Sequence, residues 1–125
     1  MLGNLERIKM MLSELMTIEG VRSVIIASSD GLPIEKISLD KDFDANTISA
    51  LVSTIKGAGV TLFSEYLGGS IKSVLIEGST AKILIKPLSK DYLLALILEP
   101  QTNLGILNIA LSKYLEELKN LVSEA

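Results

Sequence analysis

The side chains in this chain that could do chemistry are few, and their spacing decides what they can do. Serine stands beside lysine at Ser89-Lys90 and Ser112-Lys113, the one nucleophile–base pairing that the composition readily supplies. The first pair falls in an expected hairpin turn and the second on an expected helix, where adjacent side chains point apart. Both therefore read as plain surface pairs. Asp40-Lys41-Asp42-Phe43-Asp44 imitates the opening of a calcium loop, but Ala45 replaces the required glycine and Leu51 the closing glutamate. Acidic residues at this point suit the start of a helix instead. Gly57-Ala58-Gly59 and Gly68-Gly69 carry no Gly-Lys-Ser/Thr and form no G-x-G-x-x-G, so no nucleotide-binding loop is supported.

Two absences matter more. The chain has no His and no Cys, and so lacks the usual neutral-pH base, the thiolate nucleophile, any disulfide and every nitrogen or sulfur metal ligand. The expectation is no catalytic residue, no cofactor site and no metal site. Tyr66, Tyr92 and Tyr114 are too scattered for a base-stacking platform. With 12 Lys and Arg against 15 Asp and Glu, a formal charge of -3 and a pI near 4.9, nucleic acid is not an expected partner.

The 125 residues are 48% hydrophobic with a mean hydropathy of +0.44, high for a small domain. The longest unbroken apolar run, Tyr92 to Leu98, is seven residues, against the roughly 20 of a spanning helix. Glu6 and Arg7 interrupt the N-terminal apolar pattern, and Leu2 stands where myristoylation needs glycine. A single cytoplasmic domain over residues 1–125, without membrane insertion, is expected.

The elements that position these residues follow from periodicity. Leu2, Leu5, Ile8, Leu12, Leu15 and Met16 recur at helical spacing, ending near Gly20. Val21 to Ser29 and Leu32 to Leu39 read as strands around the Asp30-Gly31 turn, with Pro33 assigning the second to an edge. Asp44 caps a long helix from Ala45 to about Leu67, closed by Gly68-Gly69. Ile71 to Glu77, Ala81 to Leu88 and Tyr92 to Glu99 read as three more strands. A last helix opens at Asn103 and repeats Leu104, Leu107, Leu111, Leu115, Leu118 and Val122.

Val24 to Ala27 and Leu93 to Leu98 are apolar at both parities, which marks central strands covered on both faces. The expected fold is an α/β (α+β) layered domain: a five-stranded antiparallel sheet of order 2-1-5-4-3, helix two on one face and helices one and three on the other. Strand three is then an edge without proline, inviting another chain. On helix two, Ile48, Leu51, Val52, Ile55, Gly59, Leu62 and Tyr66 are expected to face the sheet. Asn46, Ala50, Ser53, Gly57, Thr61 and Ser64 form the opposite, small and uncharged face, suited to close approach by protein. Those six, with Ile71, Ser73 and Leu75 on strand three, are the candidate interface of a two-fold dimer.

Gly20-Val21-Arg22-Ser23-Val24-Ile25-Ile26-Ala27-Ser28-Ser29-Asp30-Gly31-Leu32-Pro33-Ile34 resembles the first hairpin of the roadblock (dynein light chain) family, of the stand-alone prokaryotic type. Leu93 to Leu98 followed by Asn103-Leu104-Gly105-Ile106-Leu107 is similar to its fifth strand and closing helix. The resemblance implies a homodimer through strand three and helix two, and binding rather than chemistry: a regulator or scaffold for a Ras-like small GTPase. An arginine finger is not expected, because Arg7 and Arg22 lie off helix two; ordering of the GTPase's own switch residues fits better. Two alternatives remain: a sensory domain holding a small ligand, for which Lys82 and Lys86 are the only polar residues offered on one side of strands four and five, and an assembly scaffold without a GTPase.

Overall fold

A computed structural model of the protein describes residues 3–124. In chain order the elements are α1 (Asn4–Leu15), β1 (Val21–Ser28), β2 (Pro33–Ser38), α2 (Ala45–Leu62) with a π-helical turn (Phe63–Leu67), β3 (Val74–Glu77), β4 (Lys82–Pro87), β5 (Tyr92–Leu98) and α3 (Leu104–Glu124). The sheet is antiparallel with the order β2-β1-β5-β4-β3, as the strand patterns predict.

The two-faced strands explain the layering. Val24, Ile26, Leu94, Leu96 and Leu98 point to one side, where they meet Ile8, Met11, Leu12 and Leu15 of α1 and Leu107, Leu111, Leu118 and Val122 of α3. Ile25, Ala27, Leu93 and Ala95 point to the other, beneath Ala45 and Val52 of α2. Helix two thus covers one face and helices one and three the other. Pro33 opens β2 at a register shift opposite Ala27, the edge position that a residue without an N–H allows. Leu2 lies outside the described residues, and Leu5 is exposed while Met11 takes a core place.

Polar residues fasten the ends of the elements. Arg7 donates to both carboxylate oxygens of Glu117, at 2.6 and 3.1 Å, tying α1 to α3. Arg22 spans Asp40 and Glu99, and that guanidinium holds the Asp40 carboxyl below the usual range. Gly20 turns at φ +95°, and a Cβ there would lie 2.3 Å from Thr102 Oγ1, so only glycine fits between α1 and β1. Asp44 caps α2 by accepting from the Thr47 N–H at 3.1 Å and the Thr47 hydroxyl at 2.7 Å, which employs the last acid of the calcium-like run.

Strand three is shorter than its alternation suggests, beginning at Val74 rather than Ile71. Continuing the β3–β4 register places Lys72 opposite Pro87, which has no N–H to donate. Ile71 instead turns toward α2, its Cδ1 lying 3.3 Å from where a Gly59 Cβ would stand.

Ser49 is fully buried under α2, and its hydroxyl has no partner among the described residues. A lone hydroxyl in an apolar layer costs about 1–3 kcal/mol. Ser49→Ala is therefore expected to raise unfolding free energy by about 1 kcal/mol in urea titrations.

Candidate functional site: the outer face of helix two and the free strand edge

Helix α2 does not lie on the sheet in the orientation its apolar residues suggest. Its buried residues are Ala45, Ser49, Val52, Ser53 and Lys56, a stripe about a quarter turn from the expected one. The layer beneath is low, built over Ala27 and Ala95, so small inward side chains let the helix backbone approach closely. Two polar residues of the stripe find acceptors at strand ends. Ser53 Oγ donates to Ser28 O at 2.8 Å. Lys56, only 4% exposed, donates to Ser29 Oγ at 3.0 Å, Ser89 O at 3.1 Å and Lys90 O at 3.2 Å. Burial pushes its pKa down, and the charge of Asp91 opposes that shift.

This rotation corrects the expected interface. Ser53 leaves the outer face for the interior, where it is bonded to β1. Leu51, Leu62 and Tyr66, expected against the sheet, are instead 58%, 50% and 82% exposed. Asn46, Ala50, Gly57, Thr61 and Ser64 remain exposed, and nothing approaches the Cβ position of Gly57. On the adjoining edge Ser73 and Leu75 are exposed and Ile71 is half-buried, with Ile71 and Ser73 preceding the strand rather than forming it.

The surface that results is less polar than the expected one. Thr47, Ala50, Leu51, Thr54, Gly57, Ala58, Thr61 and Leu62 face outward, and with Lys56 buried, Ala45–Leu62 carries no exposed charge. Ala45–Leu67, 23 residues, contains an 18-residue window with a mean hydropathy of 1.2 of which 22% is buried, and is long and apolar enough by length and composition to cross a membrane. The run-length expectation missed it because its apolar residues are interspersed with Ser, Thr and Gly. Here its inner face is committed to the sheet through Val52, Ser53 and Lys56. Past Leu62 the helix widens into the π turn, with Gly68 N–H donating to Phe63 O at 2.6 Å, and Val60, Leu62, Tyr66 and Leu67 are left uncovered. The sheet ends beside it at β3, whose outer edge is unpaired among the described residues.

Chemistry is sparse by comparison. A cavity of about 260 Å³ between the end of α2 and the β4–β5 turn is lined by Lys56, Val60, Ile71 and Pro87 among others, but the Lys56 ammonium is already used on turn carbonyls. Lys82 Nζ is likewise engaged, donating to Thr102 O at 3.2 Å. Among the described residues no group of three acidic side chains is placed to hold a metal ion. Lys56 acts as a clamp between α2 and two turns, and Lys56→Met, which keeps the stem and removes the donors, is expected to lower unfolding free energy by about 1–3 kcal/mol in urea titrations.

Comparison with known proteins agrees with this architecture. The uncharacterized protein MJ1340 of Methanocaldococcus jannaschii is 29% identical over 108 residues, covering 86% of this chain and 93% of that protein. A solved structure described as MglB with tetrameric arrangement superposes with a TM-score of 0.87 at 17% identity, covering 99% of this chain and 93% of that one. The gliding protein MglB from Thermus thermophilus superposes with a TM-score of 0.87 at 19% identity, covering 100% and 96%. At these identities the two structures share the fold. The Roadblock/LC7 domain matches residues 7–98, most of the chain, so this protein belongs to the Roadblock/LC7 family.

Proposed function

We propose that this protein is a non-enzymatic homodimer, formed through α2 and β3, that regulates or scaffolds a Ras-like small GTPase in the cytoplasm. The observation that carries this reading is the outer face of α2: eighteen residues without an exposed charge, continuous with an unpaired strand edge. A face of that kind on a small domain marks an interaction surface, and the sheet edge beside it offers main-chain pairing to a second chain. Membership in the Roadblock/LC7 family supports a regulatory, protein-binding role.

The two arginines support an indirect effect on any bound GTPase. Arg7 pairs with Glu117 and Arg22 with Asp40 and Glu99, both off the α2 face, so neither is placed to act as a finger on a protein docked there. Stimulation of GTP hydrolysis would then come from ordering the GTPase's own switch segments. A second reading, an assembly scaffold without a GTPase, draws support from the fold neighbour described in a tetrameric arrangement.

Gly57→Glu tests the surface without disturbing the monomer, because Gly57 has open space around it and glutamate is the better helix former. The protein is expected to sediment as a dimer at micromolar concentration, and the variant to raise the dissociation constant at least about tenfold, at undiminished thermal stability. A monomeric parent protein would overturn the dimer. Small GTPases loaded with GDP or GTP are expected to bind the dimer in a nucleotide-dependent way or to change their hydrolysis rate; silence in both states would favour the scaffold.

A further inference from the structure

On the face of the sheet opposite α2, the β3–β4 ribbon carries an unbalanced pair of charges. The register pairs Leu75 with Leu84 and Glu77 with Lys82, and its continuation sets Ser73 beside Lys86. Lys82 is employed, bonded to Thr102 O and 4.0 Å from Glu77. Lys86 makes no hydrogen bond or ion pair with the described residues. It is half-buried, and the charge acting on it is Lys119, whose repulsion adds to burial in disfavouring the ammonium. Glu77, for its part, is 62% exposed and loosely held by Lys82.

A second copy can supply what Lys86 lacks. If both α2 helices lie on one face of a joined sheet, the two-fold axis runs perpendicular to that sheet. Facing residues of the two β3 strands must then share a side, so the axis passes through a residue. The four residues Val74–Glu77 offer two central choices. With Ile76 on the axis, Glu77 faces Leu75 of the second copy with Leu84 behind it, a carboxylate set against apolar neighbours. With Leu75 on the axis, Glu77 faces Ser73 of the second copy with Lys86 behind it, and the exposed Leu75 is covered by its own counterpart. Lys86 and Glu77 then stand two strand spacings apart, about 10 Å between backbones, with the small Ser73 between them and two long side chains to close the gap.

Building on the dimer proposed above, we propose that two copies pair β3 antiparallel with Leu75 facing Leu75, and that reciprocal ion pairs between Lys86 of each copy and Glu77 of the other set this register. Moving the axis from Leu75 to Ile76 shifts the pairing by two residues and leaves every side chain on its own face, so alternation does not choose between the two registers and side-chain pairs have to. Two such pairs, with carboxylate and ammonium matched across the axis, specify it.

Charge reversal gives the test. In Lys86→Glu, two glutamates meet at each pair, and in Glu77→Lys, two lysines, so each variant alone is expected to raise the dimer dissociation constant about tenfold. An equimolar mixture restores opposite charges at both pairs, so differently tagged chains should form heterodimers above the statistical share. Circular dichroism monitors folding. A cycle with the milder Lys86→Gln and Glu77→Gln covers the case where reversal unfolds the ribbon: the double variant should dimerise about as well as either single one. A dimeric parent with random mixing, or with additive effects in the cycle, overturns the register and leaves the dimer standing. A monomeric parent overturns the dimer itself.

Discussion

The arrangement of the whole molecule turns on how α2 meets the sheet, and that contact is governed by the Lys56 ammonium. A buried charge has to be surrounded by acceptors, and Lys56 finds them in Ser29 and in the carbonyls of Ser89 and Lys90. Those acceptors belong to the β1–β2 and β4–β5 turns, so one side chain fixes the helix to two connections that are far apart in sequence. Once Lys56 and Ser53 point inward, the rotation of the helix is set, and with it the identity of every residue that points out.

The quarter-turn rotation of α2 follows from this. Ala45, Ser49, Val52 and Ser53 occupy the inside with Ile48 and Ile55 at its flank, while Leu51, Leu62 and Tyr66 are outside. For a helix meant to be covered on one face alone, that distribution would leave Leu51, Leu62 and Tyr66 without use. It suits the proposed role, in which α2 would be covered twice, closely by its own sheet and then by another protein. The opposite layer shows the ordinary pattern: α1 and α3 bury Leu, Ile, Met and Val against β1 and β5.

Strand order was legible in the sequence because its determinants are local: two runs apolar at both parities, one proline, and hairpin turns joining neighbours. The rotation of α2 was not legible, because nothing in Ala45–Leu62 says that the carbonyls of Ser28, Ser89 and Lys90 will lie within reach of Ser53 and Lys56. Periodicity assigned the bulky residues to the core, which holds for Val52 and, at the flank, for Ile48 and Ile55, while the rotation set by tertiary hydrogen bonding leaves Leu51, Leu62 and Tyr66 outside. The shortened β3 is intermediate. Pro87 was visible, but its position opposite Lys72 depends on the register of the hairpin. Five of the six residues chosen on α2 are nonetheless exposed, since the expected and observed outer faces overlap along Ala50, Gly57 and Thr61.

The opposite margin of the sheet limits how such a molecule can grow. In the proposed dimer, joining two copies at β3 would leave a β2 strand at each rim, and β2 starts with Pro33 at a register shift opposite Ala27. Pro33 removes one donor from that rim and the register shift interrupts its ladder, which makes it a poorer template for another strand. Lateral extension of the proposed dimer would then stop after one joining event, giving a finite ribbon with blunt ends, and larger growth would be favoured through helices, perpendicular to the hydrogen-bonding direction.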